Sequence, residues 1–155
     1  EYKIVDPKRV PEAPPSPGPM GASRVTVVKD LYARWYSTVM SKTGSAAKKY
    51  AAAFAMNIWE ITHQNANEES AMSVLNKLDF EMGNARFDGS NNTDNLANEM
   101  LASLGGGVCD FKDFQGLVGL KNWEYQDQLT VVTVVPGPAG FAALVGVAAL
   151  RRRRR

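Results

Sequence analysis

Ala52-Ala53-Phe54-Ala55-Met56-Asn57-Ile58-Trp59-Glu60-Ile61 is the stretch whose reading decides the fold. It holds neither glycine nor proline, it is dense in alanine, and together with Tyr50 it sets Phe54, Ile58 and Ile61 on one side, which predicts a helix over about 46–63. Gly44 and Ser45 stop the segment before it, where Val27, Val28, Leu31, Trp35 and Val39 recur at helical spacing from a cap near Ser23. Lys29, Asp30, Arg34 and Lys42 take the opposite face of that first helix. Alanine-rich faces let helices approach closely, so the two are expected to pack as an antiparallel pair. Trp59 borders the apolar stripe and is expected to face a layer of strands over 78–87 and 127–134.

Further along, 64–70 is polar and loop-like, and 68–75 suits a short helix. Leu78, Phe80 and Met82 alternate with Asp79, Glu81 and Gly83, and Ala85 and Phe87 continue the pattern, as in a half-buried strand or bulged hairpin. Helical spacing resumes over 91–104 through Leu96, Met100, Leu101 and Leu104, and Gly105, Gly106 and Gly107 end it. Upstream, the first 22 residues hold six of the eight prolines and read as a Pro-rich arm or linker, preceded by a possible short strand at Tyr2-Lys3-Ile4-Val5. The expected class is α+β: a helix-rich domain, with an antiparallel pair and a third helix against a few strands, followed by a C-terminal hydrophobic helix.

That last element comes from the end of the chain. Residues 131–150 carry no charge, and Arg151, Arg152, Arg153, Arg154 and Arg155 follow at once. A continuous helix is expected to begin near Pro138, since a first-turn proline lacks no needed N–H. Residues 139–150 then rise about 18 Å, short of the roughly 30 Å hydrocarbon core, so the span is a marginal anchor that needs snorkelling arginines or a thinned bilayer. The arginines orient the C-terminus toward the cytoplasm and leave the body outside. The bland alternative is a short buried helix with an appended basic tail.

The tail also explains the charge. Of 18 basic residues five are terminal, and the other 13 face 16 acidic ones. The body therefore has no basic excess to spread over a nucleic-acid-binding face, and no nucleic-acid partner is expected. A single cysteine, Cys109, excludes an internal disulfide and a multi-cysteine zinc site. The chain opens at Glu1 without an initiator methionine or a signal-peptide pattern, as a mature or truncated product does.

Val135-Pro136-Gly137-Pro138, the small-residue apolar stretch and the arginine cluster together resemble the PEP-CTERM class of bacterial sorting signals, with Pro136, Gly137 and Pro138 in place of the usual Pro-Glu-Pro. The resemblance implies an exported cell-surface or extracellular-matrix protein, transiently held in the membrane through residues 139–155 and processed by an exosortase-like partner enzyme. The helix 52–61 in turn resembles the thioester domains of bacterial surface adhesins, whose helix reads Ala-Phe-Gln-Leu-Ala-Ile-Trp-Glu-Ile; Phe54, Ile58, Trp59 and Glu60 match its core. Gln126-Asp127-Gln128-Leu129-Thr130-Val131-Val132 is similar to that group's closing strand. The implied organisation is an arm or linker over 1–22, a thioester-like domain over 23–135, either whole or truncated at its N-terminus, and a sorting signal over 136–155. The thioester itself needs a cysteine thiol and a glutamine amide in contact. Ala55 stands at the glutamine position and Cys109 follows the helix where the family places it upstream, so the scaffold is expected without the covalent bond.

Other chemistry is sparse. Asp88, Ser90, Asn92, Asp94 and Glu99 fall at positions 1, 3, 5, 7 and 12 of an EF-hand-like loop, but Thr93 occupies the turn position that calls for glycine, and a polar turn capping a helix explains the same residues. His63, the single histidine, reads as a helix-end residue facing the helix dipole. Asp79 with Glu81 and Asp110 with Asp113 read as solvated carboxylates. Neither a phosphate-cradling glycine loop nor a cofactor motif is present, so no catalytic residue and no cofactor are assigned. A non-enzymatic adhesion or assembly protein is the first reading, and an exported hydrolase whose site leaves no sequence motif is the alternative.

Overall fold

The computed structural model describes residues 1–11, 18–63, 70–82, 92–107 and 109–132. The helix pair lies at its centre. Helix α1 runs Gly21–Ser41 and α2 runs Gly44–His63, joined by Lys42 and Thr43. The two are antiparallel: Arg24 near the start of α1 bonds Thr62 near the end of α2, and the rings of Tyr32 and Phe54 meet edge to face at 5.0 Å between their middles. Val27, Val28, Leu31 and Ile61 are fully buried along the seam, with Trp35, Val39, Tyr50 and Ile58 packed around it.

Helix α3 (Ala71–Leu75), capped by the Ser70 hydroxyl on the Ser73 N–H, packs on α1. Helix α4 (Asn92–Ala102) packs on α2 through Leu96, Ala97 and Met100. It ends earlier than its apolar spacing predicts: the Ser103 N–H donates to both the Glu99 and Met100 carbonyls, and the chain tightens into a 3-10 turn, Leu104–Gly107. Gly105 there has φ +68, and a Cβ would lie 2.8 Å from Leu75 Cδ2. The left-handed φ favours glycine, and an added Cβ would push the end of the Leu75 side chain aside.

Three antiparallel strands in the order β1 (Lys3–Val5), β2 (Leu117–Lys121) and β3 (Gln128–Val131) complete the α+β arrangement of the described residues. Lys3 pairs with Lys121, and Gly119 pairs with both Val5 and Leu129. Val5, Leu117, Leu129 and Val131 turn one face of this sheet to the core. Strand β2 escapes the sequence reading because Leu117-Val118-Gly119-Leu120 has too little alternation to mark it.

Three expectations are corrected. The strand over 78–87 is not formed in its described part: residues 78–82 make a turn in which Phe80 is buried, Met82 is exposed, and the Asp79 carboxylate accepts the Glu81 N–H. Alternation there reflects one buried side chain in a turn. Trp59 does not face strands; it is 43% exposed and its ring stacks on His63 at 4.4 Å. Asp30, expected on the solvent face of α1, is fully buried. The described ends of the segment 1–22, read as a Pro-rich arm or linker, pack on the body. A 3-10 turn, Pro7–Arg9, sits between α1 and β2, Val10 and Met20 are buried, and Met20 donates its N–H to the Val10 carbonyl. Gly119 makes this possible, since a Cβ there would lie 2.8 Å from Val10 Cγ2. The hydrophobic helix expected over 139–150 lies outside the described residues. Among those that are described, no helix is long and apolar enough to cross a membrane.

Tyr32 anchors an aromatic cluster with Tyr36, Phe54 and Phe114 at centroid distances of 5.0–5.6 Å. Burial, and to a smaller extent the neighbouring Tyr36 phenol, push its pKa from 10.0 up to about 12. A phenol whose pKa is raised on folding favours the folded state below its unfolded pKa and loses that contribution as pH climbs through the folded one. Spectrophotometric titration should therefore show one tyrosine lagging the others, with stability falling by about 2–3 kcal/mol between pH 10 and 12 from this residue. Ionisation of all five tyrosines together while the fold persists contradicts this.

Candidate functional site

Polar side chains buried along the helix pair organise the surface above them. On α1 the Asp30 carboxylate accepts the Gly105 N–H at 2.7 Å, the Lys112 N–H at 2.8 Å and Arg34 Nε–H at 2.8 Å. Arg34 Nη2 also donates to the Asp110 carbonyl at 2.7 Å. One carboxylate and one guanidinium thus fasten both ends of the loop that carries Cys109. Toward the other end of the pair, buried Arg24 donates to the Thr62 carbonyl at 2.8 Å, placing a cation at the negative end of α2. Asn57 Nδ2 donates to the Ala53 and Ala97 carbonyls at 2.9 and 3.0 Å and ties α2 to α4. Glu60 Oε1 accepts the Asp79 N–H at 2.9 Å and fixes the turn after α3.

Of the residues matched to the adhesin helix, Phe54 and Glu60 are buried, Ile58 is partly buried, and Trp59 faces outward. Ala55, at the glutamine position, is exposed, as is Cys109, whose backbone is left-handed at φ 61. Pro136, Gly137, Pro138 and Arg151 to Arg155 lie outside the described residues.

Of the calcium-like set, Asp88 and Ser90 lie outside the described residues, whereas Asn92, Asp94 and Glu99 are already on α4. Five helical residues rotate Glu99 about 140° from Asp94 around the axis, so those two cannot close on one ion as loop ligands do. Among the described residues no three His, Cys, Asp or Glu side chains group to hold a metal.

A groove of about 410 Å³ opens between the first turns of α1, the 3-10 turn Pro7–Arg9 and the segment leading into β2, with Pro7, Val25, Phe111 and Leu117 among its apolar walls. Its two carboxylates are engaged. The Lys29 ammonium donates to Asp113 at 2.8 Å and holds that carboxyl below its usual range, and the Lys8 N–H does the same for Asp6, helped by its ammonium at 3.2 Å. His63 lies elsewhere, at the end of α2, with Nδ1 3.0 Å from the Trp59 carbonyl and 2.9 Å from the Thr62 hydroxyl. The Thr62 hydroxyl beside His63 donates to the Ile58 carbonyl at 2.7 Å within its own helix.

Sequence reasoning missed the buried set, although a signal existed. Arg24, Val27, Asp30, Leu31 and Arg34 share helical spacing, as do Phe54, Asn57, Glu60 and Ile61, so the polar members lie on the apolar stripe. No family model, curated protein or solved structure matches the chain.

Proposed function

We propose that this is an exported bacterial cell-surface or extracellular-matrix protein with a non-catalytic adhesion or assembly role, in which a folded body is displayed through a C-terminal, exosortase-type sorting signal over 136–155. The observation that carries the reading is the uncharged run 131–150 that holds Pro136-Gly137-Pro138 and is followed by five arginines. The Val132 N–H donates to the Gly116 carbonyl at 2.8 Å at the end of the last strand, four residues before Pro136. The described sheet is hydrogen-bonded to the last residue of β3, Val131, which pairs with Leu117 five residues before Pro136. In this reading residues 139–155 engage the membrane transiently, and the partner is an exosortase-like enzyme. The body is a scaffold related in pattern to thioester domains but without their bond; the exposed Ala55 and the distinct loop setting of Cys109 support that.

Fusing residues 131–155 to a soluble exported reporter tests the tail alone. The fusion should enter the membrane fraction of a host that has a matching exosortase, and replacing Arg151 to Arg155 with glutamine should release it. A fusion that stays wholly soluble and unprocessed sinks the reading.

A further inference from the structure

We propose that the loop between β2 and β3 is a binding site for a neutral polysaccharide, with Trp123 and Tyr125 as its stacking platforms. Trp123 is 84% exposed and Tyr125 67%, the highest values among the aromatic residues of the described chain. Exposing such rings to water brings no folding benefit, yet the loop that carries them is tightly built. Asn122 Oδ1 accepts the N–H groups of Glu124 and Tyr125 at 2.8 and 3.1 Å, and the Asn122 N–H donates to Asp127 Oδ1 at 2.9 Å. Asn122 Nδ2 donates to the Glu1 carbonyl at 3.1 Å, and the Tyr2 hydroxyl donates to the Gln126 carbonyl at 3.3 Å. The polar side chains at the base are spent on the loop's shape, which leaves the two rings presented in a preorganised position.

Three observations select the occupant. Lys121 Nζ lies 4.3 Å from the Trp123 ring centroid and covers one face, so the other face is open for the C–H face of a sugar ring. The exposed Glu124 carboxylate and Gln126 amide on the same loop can bond ring hydroxyls. Charge comes next: Lys3 and Lys121 are offset by Glu1, Glu124 and Asp127, so there is no positive excess to hold nucleic acid, an anionic membrane or an acidic polymer. The last is size and position. Two such rings bury about 300–500 Å², less than the roughly 800 Å² per side of a stable protein interface. The loop also sits at one end of the hairpin and Val132 at the other, about 13 Å away along β3.

The site deepens the surface-adhesion reading by naming its ligand class, and its test is independent of sorting because residues 131–155 include neither ring. The full chain is sedimented with insoluble cellulose, curdlan and mannan in high salt, which suppresses the arginine tail, with flotation on phosphatidylcholine/phosphatidylglycerol vesicles and an oligo(dT) gel shift run alongside. At least one of the three polysaccharides should retain the chain. Trp123→Ala and Tyr125→Ala should each weaken retention roughly tenfold, and Trp59→Ala should leave it unchanged. Both rings are solvent-exposed, so an unaltered circular dichroism spectrum accompanies the loss. Failure to bind all three polysaccharides overturns the proposal, as does equal retention of the double variant or ring-dependent binding to vesicles or oligo(dT) instead.

Discussion

Asp30→Ala should destabilise the body by about 3–5 kcal/mol, a large part of the 5–15 kcal/mol that typically holds a domain together. The carboxylate is fully buried and receives three donors, two of them backbone N–H groups from the segment 105–112. Alanine leaves those N–H groups without an acceptor and Arg34 without its anion, and each buried group left unpaired costs its full desolvation. The thermal midpoint should fall by roughly 10–20 °C. Asp30→Asn keeps one acceptor oxygen and should fall between alanine and the parent. A loss below about 1 kcal/mol for Asp30→Ala, measured by denaturant unfolding, contradicts the clamp.

Phe54→Ala should cost about 3–5 kcal/mol, whereas Trp59→Ala, five residues on in the same helix, should cost only about 1 kcal/mol. Phe54 is buried against the Tyr32 ring at the centre of the pair, and its removal opens a cavity that the neighbouring rings cannot fill. Trp59, 43% exposed, loses its stacking on His63 and part of a surface contact. The larger residue thus matters less. Thermal denaturation of the two variants side by side checks this, and a larger loss for Trp59 means that α2 presents a different face to the core.

The helix pair was legible because apolar residues at helical spacing mark one buried face: α1 begins two residues before the cap read at Ser23, and α2 begins two residues before the range 46–63 and ends with it. Polar residues on the same stripes were not. A carboxylate at Asp30 looks solvent-facing until its partners are known, and those partners are the backbone of residues about 75 to 82 positions away, which no local pattern encodes. The same holds for Trp59: spacing placed it at the border of the stripe, and only the position of α4 beside α2 decides which border is covered. Strand β1 was read from four residues, while β2 was hidden by Gly119, whose missing side chain serves the long-range contact with Val10. The reading of the tail rests on charge and composition alone, and residues 133–155 lie outside the described residues.

Intact-mass measurement of the full chain, exported in one host strain with an exosortase-type enzyme and in an otherwise identical strain without it, tests the central claim most directly. Where the enzyme is absent, the chain should keep all 155 residues and sediment with membranes. Where it is present, the mass should drop to a species that ends within or just after Pro136-Gly137-Pro138 and has lost Arg151 to Arg155. The same mass in both strains, with the five arginines retained on a protein outside the membrane fraction, would contradict a sorting role for the tail.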